Sequence, residues 1–480
     1  MMNLLHKVTG GKCATLWKVA SLAMAVVLVT SLGCGEKPKI ERKVTFGKDV
    51  AFLDKTLQKQ YENACKEEKK DPDKDHKNVV VLEDPSGNAK VLIVPAYQAR
   101  VMTSTANGDD GDSFGWIHYK HVLSEKKDPH MNAYGGEERF WLGPEGGQFS
   151  IFFKPDTDYT KDKKGKYVKD LKSQWHTPYM IDTAPYKIDE VHKTWAKFSY
   201  EPKEKDPKLV NSSKTKFDIK VERKVELISP EQAAKSLGTE IGNGVNFVGY
   251  RTTNQLTNTG KEAWDKKSGL LSIWLLGMYK PGPETTVVIP FNKGDEAELG
   301  KIANKNYFDD GDVPATRLKV DEEKSVLFFT ADGKERTKIG LGPKRAKEVA
   351  GSYDPTTKTL TIVKYNKPGE EVVDYVNSKW EKEQKEPFAG DAVNSYNDGP
   401  DKEGRTMGPF YEIETSSPAL ALKPNETGTH ISETYHFQGD EAKLDPIAQK
   451  VLGVSIKRIK DVTKQLQKDR EKAEQEKEKK

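Results

Sequence analysis

The stretch KFDIKVERKVELI, residues 216–228, alternates apolar and polar side chains with a period of two. Successive side chains of a β-strand point to opposite faces, so this period predicts a strand with one buried face and one wet face. Such a strand needs a second layer to cover its apolar face. The apolar members are Phe217, Ile219, Val221, Val225 and Leu227.

Short β-rich runs recur on both sides of this stretch and are separated by Gly, Pro, Asn and Asp. Few helical stretches lie between them, which favours an all-β antiparallel sandwich over a parallel α/β sheet. Residues 48–69 are the exception, because their apolar residues recur near helical spacing and predict one N-terminal amphipathic helix. The runs are 79–84, 90–95, 149–153, 285–291, 325–330, 360–365, 410–415 and 431–437.

The first 33 residues have the pattern of an export signal. Three lysines precede the apolar run VASLAMAVVLV at 19–29, which is shorter than the ~20 residues of a membrane span. The following Leu32-Gly33-Cys34 is similar to a bacterial lipobox, which predicts lipid attachment at Cys34 and a membrane anchor; the alternative is an ordinary signal with a free product. Gly35 favours an outer-membrane lipoprotein of the bacterial envelope, facing the periplasm.

Charge and cysteine content narrow the possible partners. The net charge of +4 includes the signal's three lysines and a tail with ten basic and six acidic residues, which leaves a body of −3. Basic residues alternate with acidic ones instead of forming a stripe, so nucleic acid is not an expected partner. Once Cys13 is removed with the signal and Cys34 carries lipid, Cys65 has no partner for an intrachain disulfide.

The chain divides into four predicted parts. A signal peptide covers 1–33, a tether covers 34–47, and a single β-domain with its N-terminal helix covers 48–455. A charged tail, helical or disordered, covers 456–480, because almost nothing apolar follows Asp461.

The segment NAYGGEERFWLGPEGG, residues 132–147, combines groups that suit sugar recognition. Arg139 and Trp141 would share a strand face, with Glu145 on the turn that follows. A guanidinium donates to hydroxyls or carboxylates in a planar fork, and an indole stacks on flat apolar surfaces. The alternative is a core Trp141 with Arg139 paired to Glu137 or Glu145.

Two further segments carry candidate polar groups. In GPFYEIETSSPALALKPNE, residues 408–426, Glu412 and Glu414 would share a strand face, and mutual repulsion would raise at least one pKa. The alternative is an outer face in water. In YRTTNQLTNTGKEAW, residues 250–264, Asn254 and Gln255 offer amide donors and acceptors for hydroxyls, although amides are also ordinary turn residues.

Motifs for other chemistries are missing from the sequence. His118 and His121 have helical spacing, but no third ligand follows at a matching interval, so no metal site is predicted. There is no GxSxG, no phosphate-binding loop and no dinucleotide-binding glycine pattern, so no cofactor is predicted.

Several motifs together resemble the galactose-mutarotase-like superfamily, which includes aldose 1-epimerases, and more closely an uncharacterised set of bacterial lipoproteins within it. The resemblance spans about 45–455 and implies a large antiparallel β-supersandwich with a carbohydrate-binding face. The motifs are QARVMTSTANGDDGDSFGWIHY (98–119), YGGEERFWLGPEGGQFSIFF (134–153), GLLSIWLLGMY (269–279), RTKIGLGP (336–343), AGSYDP (350–355) and residues 408–426.

The resemblance implies roles for individual residues. Glu414 occupies the place of the epimerase general base, with KPNE (423–426) as the turn after it, and Arg139 would hold the sugar. At the place of the general-acid His this chain has Gln255, and an amide cannot exchange a proton at neutral pH. His118 is a candidate replacement from another loop.

Two functions therefore stay open from the sequence. The first is a lipid-anchored protein with a carbohydrate-binding face, an aldose 1-epimerase-like isomerase if it is active. The second is a non-catalytic envelope scaffold that meets another, unidentified protein. Convergence of Arg139, Glu412 and Glu414 within one wet cleft would favour the first, whereas a wide separation of these residues or their satisfaction in the core would favour the second.

Overall fold

The computed structural model describes residues 44–163, 167–307, 313–369, 371–400 and 404–478. The predicted signal, Cys34 and most of the tether lie outside these residues. The described residues belong to one compact unit. None of the helices among them is both long and apolar enough to cross a bilayer.

The described strands follow one another along almost the whole chain. They are β1 (Val80–Glu83), β2 (Lys90–Val94), β3 (Arg100–Thr105), β4 (Arg139–Gly143), β5 (Lys187–Val191), β6 (Trp195–Tyr200), β7 (Leu209–Val210), β8 (Lys216–Phe217), β9 (Ile219–Leu227), β10 (Asn246–Asn258), β11 (Ser272–Tyr279), β12 (Thr286–Pro290), β13 (Leu318–Asp321), β14 (Val326–Thr330), β15 (Thr337–Leu341), β16 (Val349–Asp354), β17 (Thr359–Tyr365), β18 (Val393–Asn397), β19 (Tyr411–Ser416) and β20 (Thr427–Gln438).

The three longest helices lie near the two ends of the described chain, and four short ones lie between them. They are α1 (Phe46–Glu67), α2 (Tyr119–Ser124), α3 (Tyr179–Asp182), α4 (Pro230–Leu237), α5 (Glu296–Leu299), α6 (Glu441–Leu452) and α7 (Ile456–Glu478), with 3-10 turns at Pro95–Tyr97 and Leu171–Gln174. Helix α1 confirms the N-terminal helix predicted from spacing. It packs Leu53 and Leu57 against Leu92 and Val94 of the three-stranded sheet β1-β2-β3.

Two large antiparallel sheets form the body of the protein. One has ten strands in the order β13-β14-β12-β16-β17-β20-β10-β9-β6-β5, and the other has five in the order β15-β18-β19-β11-β4. Their facing surfaces pack in two apolar clusters. Phe329 of the larger sheet and Ile413 of the smaller one belong to one of them, and Val221 and Leu275 belong to the other. The all-β antiparallel prediction is confirmed.

Strand β9 shows how the sequence pattern sets the layers. Its buried residues alternate with half-buried ones from Ile219 to Glu226, as the period of two requires, and the last residue, Leu227, is half-buried. At the margin of the same sheet, strand β5 is mostly exposed, and its register to β6 shifts between Ile188 and Glu190.

Helices α4, α6 and α7 cover the other face of the ten-stranded sheet. The apolar stripe of α7 begins at Ile456 and continues through Ile459, Val462 and Leu466, all of them buried. The segment predicted as a charged tail, helical or disordered, is thus a helix whose first turns pack on the sheet. The five-stranded sheet has no such helical layer among the described residues, and its outer face carries polar side chains instead.

Candidate functional site

The outer face of the five-stranded sheet is assembled by strand register. Arg139 of β4 lies opposite Leu276 of β11, which lies opposite Glu414 of β19, which lies opposite Asn394 of β18. Leu275 and Ile413, on the neighbouring strands, point toward the ten-stranded sheet, and Phe140 lies opposite Leu275. Successive side chains of a strand alternate in direction, so Arg139, Leu276 and Glu414 point to the outer face. One face therefore collects side chains from segments more than 270 residues apart.

Arg139 and Glu412 form a buried ion pair on this face. Arg139 Nη2 lies 2.5 Å from Glu412 Oε1, and the two side chains are 4% and 7% exposed. The guanidinium also lies 4.5 Å from the centre of the Trp141 ring. Burial raises the pKa of Glu412 to about 8, although Arg139 opposes this, and the charge of Glu414 adds to it. The predicted sharing of one face is confirmed, and the alternative pairing of Arg139 with Glu137 or Glu145 is wrong.

Glu414 lies beside this pair and has its own cation. Glu414 Oε2 accepts a hydrogen bond of 2.9 Å from Lys338 Nζ and another of 2.9 Å from the indole nitrogen of Trp274. Burial lowers the pKa of Lys338, but Glu414 and Glu145 outweigh it and the net pKa is raised. Both glutamates are buried, so the alternative of an outer face in water is wrong as well.

Lys338 is a candidate site residue that the sequence interpretation missed. It belongs to RTKIGLGP (336–343), which was used only as part of a resemblance. Its strand, β15, joins the sheet at the far edge through β18, and only that long-range register brings the amine to Glu414. The available signal was the burial pattern expected of β15, because a lysine inside an apolar strand is rarely buried without a partner.

Glu145 borders the same face from the turn after β4. Burial raises the pKa of this half-buried carboxyl, Lys338 lowers it, and a hydrogen bond from Trp380 lowers it further. The turn is tied to a second loop, since Glu145 N donates to Ser378 Oγ at 3.1 Å and Gln148 and Gln384 exchange hydrogen bonds. Residues 144–153 and 375–391 are therefore linked to each other at the border of this face.

Some polar atoms on this face have unused hydrogen-bonding capacity. Within the described part of the chain, Glu414 Oε1, Arg139 Nε and Trp141 Nε1 are buried and have no hydrogen-bond partner. A buried polar atom without a partner costs about 1–3 kcal/mol. Such atoms therefore mark a place where a ligand hydroxyl would be stabilising. We call Arg139, Trp141, Lys338, Glu412 and Glu414 the charged face.

A second polar group extends the charged face at the β15–β18 edge. Asp391 accepts hydrogen bonds from Asn304 and from the hydroxyl of Tyr307, and Asn394 Nδ2 donates to the same Tyr307 oxygen at 2.9 Å. Burial raises the pKa of Asp391, while these hydrogen bonds oppose the rise. All of them depend on Gly340, because a Cβ there would overlap the Tyr307 hydroxyl and Asn394 Nδ2.

Gly340→Ala is therefore expected to destabilise the protein by about 1–3 kcal/mol through overpacking. Gly342→Ala is the matched control on the same strand end, because its added Cβ would have no neighbour closer than 3.9 Å. Thermal unfolding of the two variants provides the measurement. Equal melting temperatures for both would show that Tyr307 moves away freely and that this polar group is not rigid.

An aromatic cluster borders the charged face on its β4 side. Trp141 packs edge-to-face on Trp274 with ring centres 5.6 Å apart, and on Phe152 at 5.3 Å. Phe152 stacks on Trp175 at 5.4 Å, and Trp175 stacks on Trp380 at 6.1 Å. Trp175 and Trp380 are only partly buried, so this cluster leads from the closed face toward solvent.

Three of the predicted site residues lie elsewhere. Asn254 lies between the two sheets, where its Oδ1 accepts from Arg223 at 2.5 Å, and Gln255 points to the opposite face of the ten-stranded sheet. His118 stands half-buried at the start of α2, where its ring contacts Trp116 and its Nδ1 lies 3.2 Å from Ala133 O. The structure brings together Arg139, Trp141, Glu412 and Glu414, with Glu145 at the rim.

No group of three or more His, Cys, Asp or Glu side chains suited to a metal ion occurs within the described ranges. His118 and His121 do lie side by side, with ring centres 5.7 Å apart. His121 Nε2, however, lies 3.1 Å from the side-chain oxygen of Asn132. The carboxylates of the charged face pair with Arg139 and Lys338 instead.

The fold and this face define an all-β sandwich with a closed, polar site on its smaller sheet. The chain belongs to the Family of unknown function (DUF6786), whose model matches residues 68–463. A comparison with curated proteins found no match.

Solved structures of the galactose-mutarotase-like class are similar to this chain in fold. A galactose mutarotase-like protein from Lactobacillus casei has 10% identity and a TM-score of 0.40, and the match covers 75% of this chain and 100% of that one. A galactose mutarotase related enzyme from Lactobacillus acidophilus has 11% identity and a TM-score of 0.40, over 75% and 98%. An aldose epimerase homologue from C. elegans has 9% identity and a TM-score of 0.37, over 75% and 99%. This is the class that the sequence motifs predicted, whereas membership of the lipoprotein set stays a prediction.

Proposed function

We propose that the charged face binds a carbohydrate. The observation that carries the proposal is the convergence of two carboxyl groups, two cations and two indoles on one face, with Glu414 Oε1 and Arg139 Nε unpartnered among the described residues. Sugar hydroxyls both donate and accept, so one hydroxyl satisfies a carboxylate oxygen while another accepts from a guanidinium. The indoles of Trp141 and Trp274 supply flat apolar surface beside these groups.

Proton transfer at this face is part of the proposal. Burial raises the pKa of Glu412 to about 8 although Arg139 opposes the rise, so the proposed acid is the protonated form of Glu412, which gives up its ion pair with Arg139, while Glu414 stays paired with Lys338. Two carboxyl groups in different protonation states form a general acid and a general base. In an aldose 1-epimerase-like reaction, Glu414 accepts the proton of the anomeric hydroxyl while Glu412 protonates the ring oxygen, so the ring opens; reclosure on the other carbonyl face returns both protons.

Entry to the face requires a movement of its cover. Arg139 is 3% exposed and Glu414 is 1% exposed, so a sugar reaches them only after a movement that uncovers the face. The linked loops 144–153 and 375–391 at its border are the proposed moving part. The hydrogen bonds of Glu145 N to Ser378 and between Gln148 and Gln384 must break for this. Part of the binding free energy is therefore spent on opening.

The test uses the full chain, wild type and Glu414→Gln, in a thermal-shift screen against neutral, acidic and phosphorylated sugars, followed by polarimetry of anomer interconversion. We expect a sugar that raises the melting temperature of wild type and of the control Glu426→Gln, whose side chain is exposed. Glu414→Gln should lose that shift and at least about 100-fold of any turnover. If no sugar shifts the wild type, the proposal is wrong.

The second candidate function, a non-catalytic scaffold, is favoured by the pairing of every named charge on the face. Arg139 pairs with Glu412 and Lys338 with Glu414, which is also what a purely structural polar layer would show. Under this candidate Glu414→Gln changes stability and no ligand shift is seen at all. The screen above separates the two functions.

We further propose that the protein is a lipid-anchored component of the bacterial envelope, attached through Cys34 and facing the periplasm. The support is the Leu32-Gly33-Cys34 motif after the apolar run 19–29. Full-length protein expressed in a bacterial host is expected in the membrane fraction, and Cys34→Ser is expected to lose lipid labelling. Labelling that persists in Cys34→Ser would contradict the assignment.

A further inference from the structure

A cavity of about 210 Å³ lies beside the aromatic cluster and outside the charged face. It is formed where three segments meet, residues 151–155, 176–180 and 207–210. Its volume is below the roughly 300–1,000 Å³ of sites for drug-sized ligands, so its occupant is a small molecule.

The floor of this cavity is apolar. Ile151, Phe152, Met180 and Leu209 line it and are each buried to more than nine-tenths. An apolar body placed against them would gain about 25 cal/mol for each Å² removed from water. A sugar ring, with hydroxyls on every side, would lose hydrogen bonds to water there without replacing them.

The rim of the cavity is cationic. Lys154 and Lys208 line it from two different segments and are exposed, and His176 lines it from the third. No Asp or Glu is among the described residues that line it. Two acids adjoin lining residues in the sequence without lining the cavity themselves: Asp156 is exposed, and Asp206 accepts hydrogen bonds from Tyr200 and from the Lys203 amide. The rim therefore attracts an anion to the mouth of an apolar cavity.

We propose that this cavity binds a small monocarboxylate with an apolar body, such as a medium-chain fatty acid. The chain lies on Phe152, Met180 and Leu209, and the carboxylate meets the ammonium groups of Lys154 and Lys208. Thr177 lines the same wall, and its Oγ1 is buried without a partner in the described part of the protein. The site is distinct from the charged face, because Phe152 separates it from Trp141.

The test is calorimetric titration of the full chain with octanoate, octan-1-ol and octylammonium. Octanoate should bind, the alcohol more weakly and the ammonium most weakly. The double variant Lys154→Met, Lys208→Met keeps the apolar part of both side chains and removes their charges. It should lower the affinity for octanoate roughly three- to tenfold, to the affinity of the wild type for octan-1-ol. Lys203→Met is the matched control, since Lys203 is exposed on the same segment but does not line the cavity.

A second variant tests the cavity itself. Val210→Trp places an indole in the cavity and should abolish octanoate binding, with the melting temperature reporting that the fold is kept. Absent octanoate binding, equal affinity for octanoate and octan-1-ol, or an unchanged affinity in the double lysine variant would each overturn the proposal. None of these results depends on whether the charged face binds a sugar.

Discussion

Replacing Arg139 by methionine is expected to lower the free energy of unfolding by about 3–5 kcal/mol at alkaline pH. The substitution leaves Glu412 buried, 7% exposed at its side chain, next to the charge of Glu414. A carboxyl whose pKa is raised on folding contributes stability below its unfolded pKa, and that contribution is lost as pH rises through the folded value. Loss of Arg139 raises the Glu412 pKa further, so the destabilisation should be larger at pH 9 than at pH 6.

Urea denaturation followed by tryptophan fluorescence at the two pH values measures this effect. The double variant Arg139→Met, Glu412→Leu removes both charges and should recover most of the lost stability, because an apolar pair carries no desolvation penalty. A single variant within about 0.5 kcal/mol of wild type at both pH values would contradict the ion pair as described.

Replacing Arg223 by methionine is expected to lower the free energy of unfolding by a similar amount, about 3–5 kcal/mol. The affected ion pair lies in the interior between the two sheets. Arg223 is 1% exposed and donates to Asn254 Oδ1 at 2.5 Å and to Glu138 Oε1 at 3.0 Å. Both partners are themselves buried, so the variant leaves an unpaired carboxylate and an unsatisfied amide. Ligand shifts at the charged face should persist in this variant, unlike in Glu414→Gln.

Arg251→Met is the matched control for Arg223, because Arg251 lies on the neighbouring strand and pairs with Glu433 while being 37% exposed. Glu433 is 10% exposed and accepts two hydrogen bonds from Arg251, so we expect a measurable loss that is smaller than the loss at the fully buried Arg223. Chemical denaturation of both variants compares the two sites. Equal losses would mean that water reaches Arg223 and that the interior pair is not dry.

Strand-level features of this protein follow from local sequence. The alternation in 216–228 predicts strand β9. The spacing of two residues predicts that Arg139 and Trp141 share one strand face, and likewise Glu412 and Glu414. These predictions need only the two-residue period of a strand. The meeting of the two pairs was a prediction from resemblance, and the register of β4 and β19 against β11 places them together.

Features that depend on register between distant strands did not follow from the sequence. Lys338 reaches Glu414 only through the order of the five-stranded sheet. Asn254 was interpreted as a sugar-binding amide with an ordinary turn residue as the alternative, yet it lies in β10, a strand of thirteen residues, and its amide is bonded in the interior. The local composition around Asn254 does not reveal that distant Arg223 is its partner.

The end of the chain shows a different reason for an incomplete prediction. The residues after Asp461 are dominated by Lys, Glu and Gln, and judged alone they predict a solvated segment. The apolar stripe of α7 starts earlier, at Ile456, and continues at intervals of three or four residues to Leu466. An amphipathic helix is recognised only when its whole length is considered.

The shifted and mostly exposed strand β5 has a consequence for how this protein behaves at high concentration. Lys187, Asp189 and Glu190 are exposed on this edge strand. Lys187 forms an ion pair with Asp189, and Glu190 forms one with Lys197. A strand arriving from a second molecule would have to displace these ion pairs and follow an irregular ladder. We expect this sheet margin to resist open-ended fibril growth.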